Sequence, residues 1–187
     1  RKGTKELIKI VAGADGLQLG NEELSCARHF SNTLFNVMRG GIFSDGYKVE
    51  AKDFILYISQ TNTKLVKQFE AKFSELPATI TYPELVSWAE NQGNSDLERI
   101  ALEYLPLTFS RRHGDPSRPW NIFSIETKNP DGTDKLHYEG NWRDIFQNWE
   151  TLSLSYPDFI EGMICKFLNA STADGYNPYR ITRDGID

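Results

Sequence analysis

Trp142-Arg143-Asp144-Ile145-Phe146-Gln147-Asn148-Trp149-Glu150 is the stretch on which the fold reading turns. Its bulky apolar residues, Trp142, Ile145, Phe146 and Trp149, are continued by Leu152, and steps of three and four residues mark one face of an α-helix. Arg143 and Gln147 are four apart, as are Asp144 and Asn148, so the run predicts a hydrophobic anchor and a single polar stripe opening the same helix. Polar groups in the first turn of such a helix are costly to bury unless a partner or ligand satisfies them. Near the N-terminus Asp144 is favoured as a carboxylate, which suits it to accept from a hydroxyl rather than to give up a proton. The competing reading is an exposed amphipathic face.

Working outward, the same period recurs. Phe159, Met163, Ile164, Phe167 and Leu168 predict the next helix, and the residues from Ser171 read as loop. Upstream, Leu97, Ile100, Ala101 and Tyr104 predict a helix from Ser95 or Asp96 to Leu105, closed by Pro106; Asn91 to Asn94 is a turn. Thr81-Tyr82-Pro83-Glu84 has the form of a capping box with proline in the first turn. Phe54, Ile58, Leu65, Phe69, Phe73 and Leu76 carry a helical pattern broken near Thr61-Asn62 and stopped by Pro77. A further helix starts at Asn21, with Glu22 and Glu23 in its first turn, and runs out at Gly40-Gly41. Only Leu7–Ala12 is β-rich, which makes residues 1–20 a linker or an edge strand from a preceding β-domain. The expected fold is mainly α, built of antiparallel helical hairpins with long loops, too few to close a ring. Without an initiator Met, and with Arg183–Asp187 reading as a turn that leads onward, the chain reads as a piece of a longer protein.

A chain of 187 residues with 39% apolar content can bury a real core. A net charge of −5 argues against a general nucleic-acid footprint, and the longest apolar runs, such as Phe54–Ile58, are too short to span a bilayer. The start, Arg1–Glu6, is charged and is not followed by a secretory h-region. Cys26 and Cys165 fall on apolar helix faces and read first as buried free thiols, with a disulfide or a reactive thiol as the alternatives; this usage suits a reducing cytoplasm. His29, His113 and His137 are too scattered for a zinc site, and no metal is expected. Asn169-Ala170-Ser171 matches a glycosylation sequon, a pattern frequent by chance.

From Leu107 to Gly140 the helical period disappears, and this loop holds Arg111-Arg112-His113-Gly114-Asp115-Pro116-Ser117-Arg118-Pro119-Trp120-Asn121. Guanidinium forks and carboxylates for hydroxyls, with an aromatic face for a pyranose ring, are the mixture a sugar site needs; a phosphate site would use the same forks. Arg112, Arg118, Trp120 and Asn121 are the candidates there, against a bland loop whose arginines pair with surface carboxylates. Near the end of the chain, Tyr176, Asn177, Tyr179 and Arg180 again combine stacking surface with hydrogen-bonding groups, although Asp174-Gly175 is also ordinary turn chemistry.

The Arg143–Asn148 run resembles the Arg-Asp-x-x-Gln-Asp motif of glycoside phosphorylases of glycoside hydrolase family 94 and of the related family 161 β-1,3-glucan phosphorylases. Phe35–Phe43 and the Arg-Arg-His-Gly-Asp loop are similar to the opening of such catalytic domains, so the resemblance covers residues 21–187. It implies the N-terminal part of an (α/α)6 toroid of the six-hairpin glycosidase kind, in an enzyme that cleaves a β-glucosidic bond with inorganic phosphate and inversion, releasing a sugar 1-phosphate. Asp144 then takes the family aspartate's role of holding glucosyl hydroxyls, Arg143 and Gln147 match motif positions, and Asn148 stands where the family usually has Asp. The family's general acid lies in a Gly-Asp-Trp-Asn-Asp type motif that does not occur here, so the catalytic residue itself is expected outside this chain. The implied substrate-binding set is Arg112, Arg118, Trp120, Asn121, Trp142, Arg143, Asp144, Gln147, Asn148, Tyr176, Asn177 and Arg180. Oligosaccharide and phosphate are the implied ligands and the rest of the parent polypeptide the implied partner; no organic cofactor is needed, and a homodimer is left open. Two alternatives stand beside it: an inverting hydrolase on the same fold, with Glu139 or Asp187 activating water, and a non-catalytic carbohydrate-binding helical module. A helical domain that binds anions through its arginines is the third.

Overall fold

The computed structural model describes residues 41–43, 45–108, 128–133 and 135–183, together with the helical positions Lys5, Glu23, Leu24, Ala27, Arg28, Phe30, Ser31 and Leu34. Those positions from Glu23 to Leu34 lie where the helix opening at Asn21 is expected. The β-rich run at Leu7–Ala12, the boundary at residue 20, Cys26 and the loop residues 109–127 lie outside the described residues.

Phe43 and Leu107 form an isolated antiparallel bridge, and the Thr108 backbone N–H donates to Ile42 O at 3.2 Å. The chain therefore leaves on an excursion at Phe43 and returns to the same spot at Leu107. Within the excursion lie strand β1 (Lys48–Glu50), helices α1 (Ala51–Thr61), α2 (Thr63–Gln68) and α3 (Glu70–Ser74), strand β2 (Thr79–Thr81), and helices α4 (Tyr82–Glu90) and α5 (Ser95–Glu103). Beyond it come β3 (Glu139–Asn141), α6 (Trp142–Ser155), a single 3₁₀ turn at Pro157–Phe159, α7 (Ile160–Ala170) and β4 (Arg180–Thr182).

Local chemistry sets these boundaries. Asn62 ends α1, and its side chain accepts from the Lys64 and Leu65 backbone N–H groups to start α2, which is the break expected near Thr61-Asn62. The pattern breaks a second time at Phe69, so the expected run to Leu76 is three short helices. Thr81 and Glu84 complete the capping box of α4: the Thr81 Oγ1 accepts from the Glu84 N–H at 3.4 Å and the Thr81 N–H donates to Glu84 Oε2 at 3.0 Å. Asn94 caps α5, accepting from the Leu97 N–H at 2.9 Å, after a turn in which Gly93 adopts a φ of 64°. The strands were not expected. β1 pairs antiparallel with β2 in the register Val49↔Ile80, and β3 with β4 in the register Gly140↔Ile181. Three residues each, they are too short to show a period-two pattern, and β4 replaces the loop expected after Ser171.

One hydrophobic core runs through both parts. Phe159, fully buried between α6 and α7, stacks on Phe43 with ring centroids 3.8 Å apart and meets Tyr82 at 4.3 Å and Tyr47 at 5.2 Å, all three from the excursion or its hinge. Gly162 on α7 lets the helix close against the Leu102 carbonyl and the Tyr82 hydroxyl, which are bonded to each other at 2.9 Å. The fold is mainly helical, as expected, with a few short strands. No helix among the described residues is long and apolar enough to cross a membrane.

Burial pushes the phenols of Tyr82, Tyr104 and Tyr156 up from their ordinary value, the neighbouring Asp53 adding to the effect at Tyr104. The folded state thus keeps protons that the unfolded chain releases, so stability is complete below pH ~10 and falls as the pH rises above it. Urea midpoints measured between pH 8 and pH 11.5 are expected to drop only in the upper part of that interval.

Candidate functional site

The β3–β4 ladder brings together two of the three segments singled out in the sequence. Its register sets Asn141 opposite Arg180 and Glu139 opposite Thr182. The Trp142 N–H donates to Tyr179 O at 3.1 Å, and at the far end the Arg183 N–H donates to Tyr138 O at 3.0 Å. Asn141 then caps α6 through its side chain, which accepts from the Arg143 N–H at 3.0 Å. The first turn of α6 is therefore laced to Tyr179 and to the strand that Arg180 opens. Arg180 Nη1 donates to Glu139 Oε1 at 2.9 Å, so the carboxylate considered as a hydrolytic base is already tied to a guanidinium.

The expected single stripe on α6 is two. Asp144 and Asn148 are buried, 8% and 3% exposed, on the face shared with Ile145, Trp149 and Leu152, and both are engaged by other groups. Arg143 and Gln147 are exposed on the other side, beside Phe146, which is 51% exposed instead of serving as a core anchor. The reason is geometric: at ~100° per residue around the helix, Asp144 and Asn148 border the Ile145, Trp149 and Leu152 stripe, whereas Arg143 and Gln147 fall on the opposite side from it. Trp142 is half-buried and packs edge-on against Phe167 with centroids 4.7 Å apart.

The terminal segment is more exposed. Tyr176 and Tyr179 are 75% and 50% exposed. Asn177 Oδ1 accepts from Ser171 Oγ at 3.0 Å, and Gly175, at φ 82°, closes a turn in which its N–H donates to Thr172 O at 2.9 Å. Asp174-Gly175 is thus turn chemistry, and it presents the neighbouring tyrosine and asparagine to solvent. Arg112, Arg118, Trp120 and Asn121 lie outside the described residues. Cys165 is a half-buried free thiol, held up from its usual pKa by burial and by the carboxylates of Glu161 and Glu103.

A cleft of about 860 Å³ opens along the seam between the excursion and the rest of the chain, with Lys48, Asp53 and Tyr104 on one side and Lys135, His137 and Arg183 on the other. At its floor Asp53 Oδ2 accepts from the Tyr104 hydroxyl and from Arg183 Nη2, each at 2.5 Å. Sequence reasoning missed this trio. Asp53 and Arg183 are 130 positions apart, and Tyr104 reads in the sequence as one more residue of an apolar stripe. Its only legible trace is the acidic residue in the first turn of α1, a position equally common as a simple dipole partner.

Residues 43–106 match the family model described as Glycoside hydrolase family 149 insertion domain 1. The matched stretch coincides with the excursion bounded by the Phe43–Leu107 bridge. The match supports a fragment of a carbohydrate-active enzyme. Among curated proteins nothing matches the chain.

Proposed function

From a segment similar to a glycoside hydrolase insertion domain, we infer that the parent protein is a glycoside phosphorylase and that this chain supplies part of its saccharide site. The observation that supports the reading is the lacing of α6 to β4, which brings the first turn of the helix next to Tyr179 and Arg180, in the setting of that family match. In this reading residues 43–106 are a module inserted into an α/α-toroid catalytic domain. The 111–121 loop brings Arg112, Arg118, Trp120 and Asn121 to the same sugar, while Trp142, Tyr176 and Asn177 border it.

The chemistry is inverting phosphorolysis. An oxygen of inorganic phosphate attacks the anomeric carbon of a β-glucoside as the glycosidic C–O bond breaks. A carboxylic acid elsewhere in the parent protonates the departing oxygen, and the product is a sugar 1-phosphate of opposite anomeric configuration. Phosphate is itself the nucleophile, so no second carboxylate is needed to activate water. The residues of this chain bind and orient: buried Asp144 as a hydroxyl acceptor, and the forks of exposed Arg143 and half-buried Arg180 for hydroxyls or phosphate oxygens. Oligosaccharide and phosphate are the ligands, no cofactor takes part, and the cytoplasm is the compartment that supplies phosphate.

Full-length protein incubated with a β-glucan oligosaccharide is expected to form sugar 1-phosphate only when phosphate is added. Free sugar released at the same rate with and without phosphate would instead identify an inverting hydrolase, and saccharide binding without turnover a non-catalytic module.

A further inference from the structure

We propose that Asp53 and Tyr104, both inside the 43–106 excursion, are positioning residues for the saccharide site and act on it through Arg183. The proposal rests on the reading of that site as a saccharide site. Arg183 follows β4 directly, three positions beyond Arg180, and its side chain is only 7% exposed. Among the described residues, the ion pair and the ring contacts of its guanidinium come from the excursion: Asp53 by the ion pair, and the rings of Tyr57 and Tyr104, whose centroids lie 5.5 Å and 5.8 Å from the guanidinium carbon. Its Nε is buried with no hydrogen-bond partner there. One carboxylate oxygen, steadied by the Tyr104 hydroxyl, therefore fixes where the head group sits.

The backbone of the same residue is built into the other side. Its N–H donates to Tyr138 O at 3.0 Å, next to Glu139, and its carbonyl accepts from Lys166 Nζ at 3.2 Å on α7. A guanidinium left without its counter-charge in this setting has to move toward water, because an uncompensated buried cation is costly. Its backbone is the end of the ladder that holds Tyr179 against Trp142 and Arg180 against Glu139. Displacement of Arg183 is thus transmitted to Arg180 within one strand length. The excursion, which contributes no residue to the saccharide set, controls how that set is held.

The test uses the full-length parent and the saccharide KM, which loss of folded enzyme does not alter because it lowers only the maximal rate. Asp53→Asn is expected to raise KM by about tenfold, below the roughly 100-fold that a full 1 Å misplacement brings. Tyr104→Phe keeps the ion pair and the packed ring while removing one hydrogen bond, and is expected to raise KM by about threefold. Adding Arg183→Gln to Asp53→Asn is expected to raise KM little further, since the pair acts as a unit. Unchanged KM in both single variants, or fully additive effects in the double variant, would overturn the proposal. Hydrogen exchange distinguishes this from failure of the functional reading. If the parent proves inactive on glycosides, faster exchange at Arg180–Thr182 in Asp53→Asn, with α4 unaltered, still supports the coupling; exchange equal to wild type overturns it.

Discussion

Phe159→Ala is expected to destabilise the chain by about 3–5 kcal/mol, the range for a large aromatic removed from a packed core. The residue is fully buried, and its ring is the common neighbour of Phe43, Tyr47, Tyr82 and Tyr156. These partners come from different elements, and the stacked contact with Phe43 has an interplanar angle of only 9°. Two features keep the resulting cavity from collapsing. Phe43 is pinned by its bridge to Leu107, and Tyr156 is held by a hydroxyl bond to Phe43 O at 3.4 Å. Loss of transfer energy and loss of ring contacts therefore add, with little relaxation to offset them. Chemical denaturation followed by tryptophan fluorescence checks the value; a change under 1 kcal/mol would mean that the seam is not packed as described.

Gly162→Ala is the second large effect, expected to cost about 3 kcal/mol or more, at the upper end of overpacking penalties. A Cβ at this position would overlap the Leu102 carbonyl oxygen and the Tyr82 hydroxyl. The tyrosine can give way only by breaking its bond to that same carbonyl, and the carbonyl belongs to the backbone of α5. Helix propensity favours alanine over glycine by roughly 1 kcal/mol, so an exposed helical glycine would respond in the opposite direction. The sign of the change in melting temperature therefore decides between a close helix contact and an open helix face, and a rise would exclude the contact.

These two residues also show what the sequence could and could not disclose. Phe159 is legible, since it opens an apolar series spaced as a helix face. Gly162 is not, because in the sequence it reads as a mild weakness in α7, and only the neighbouring α5 gives it a purpose. The helices were readable wherever side-chain chemistry closes on itself within a few residues, as at Asn62, Thr81 and Asn94. The strands were not, being three residues long and defined by partners 31 and 41 positions distant, as in Val49↔Ile80 and Gly140↔Ile181. At the site, the 142–148 and 176–180 segments read in the sequence as polar clusters, and the ladder joins the start of one to the end of the other. Which face each residue takes depends on what packs there: Asp144 and Asn148 went inward beside Trp149, whereas Arg143 and Gln147 did not. The Asp53–Tyr104–Arg183 trio was beyond reach for the same reason as the strands, its members being common residue types with nothing local to announce them.

The bridge between Phe43 and Leu107 bears on how such a chain can vary. Because both ends of residues 43–106 are fastened at one point, the length of chain between them can change without moving Ile42 and Thr108 apart. The entropy of closing a loop grows only logarithmically with its size, so residues added at the exposed turns of this region, such as Asn91–Gly93, cost little. Length is thus free to drift there, while Tyr47, Tyr82 and Asp53, which reach across the seam, are the positions that hold the two parts in step.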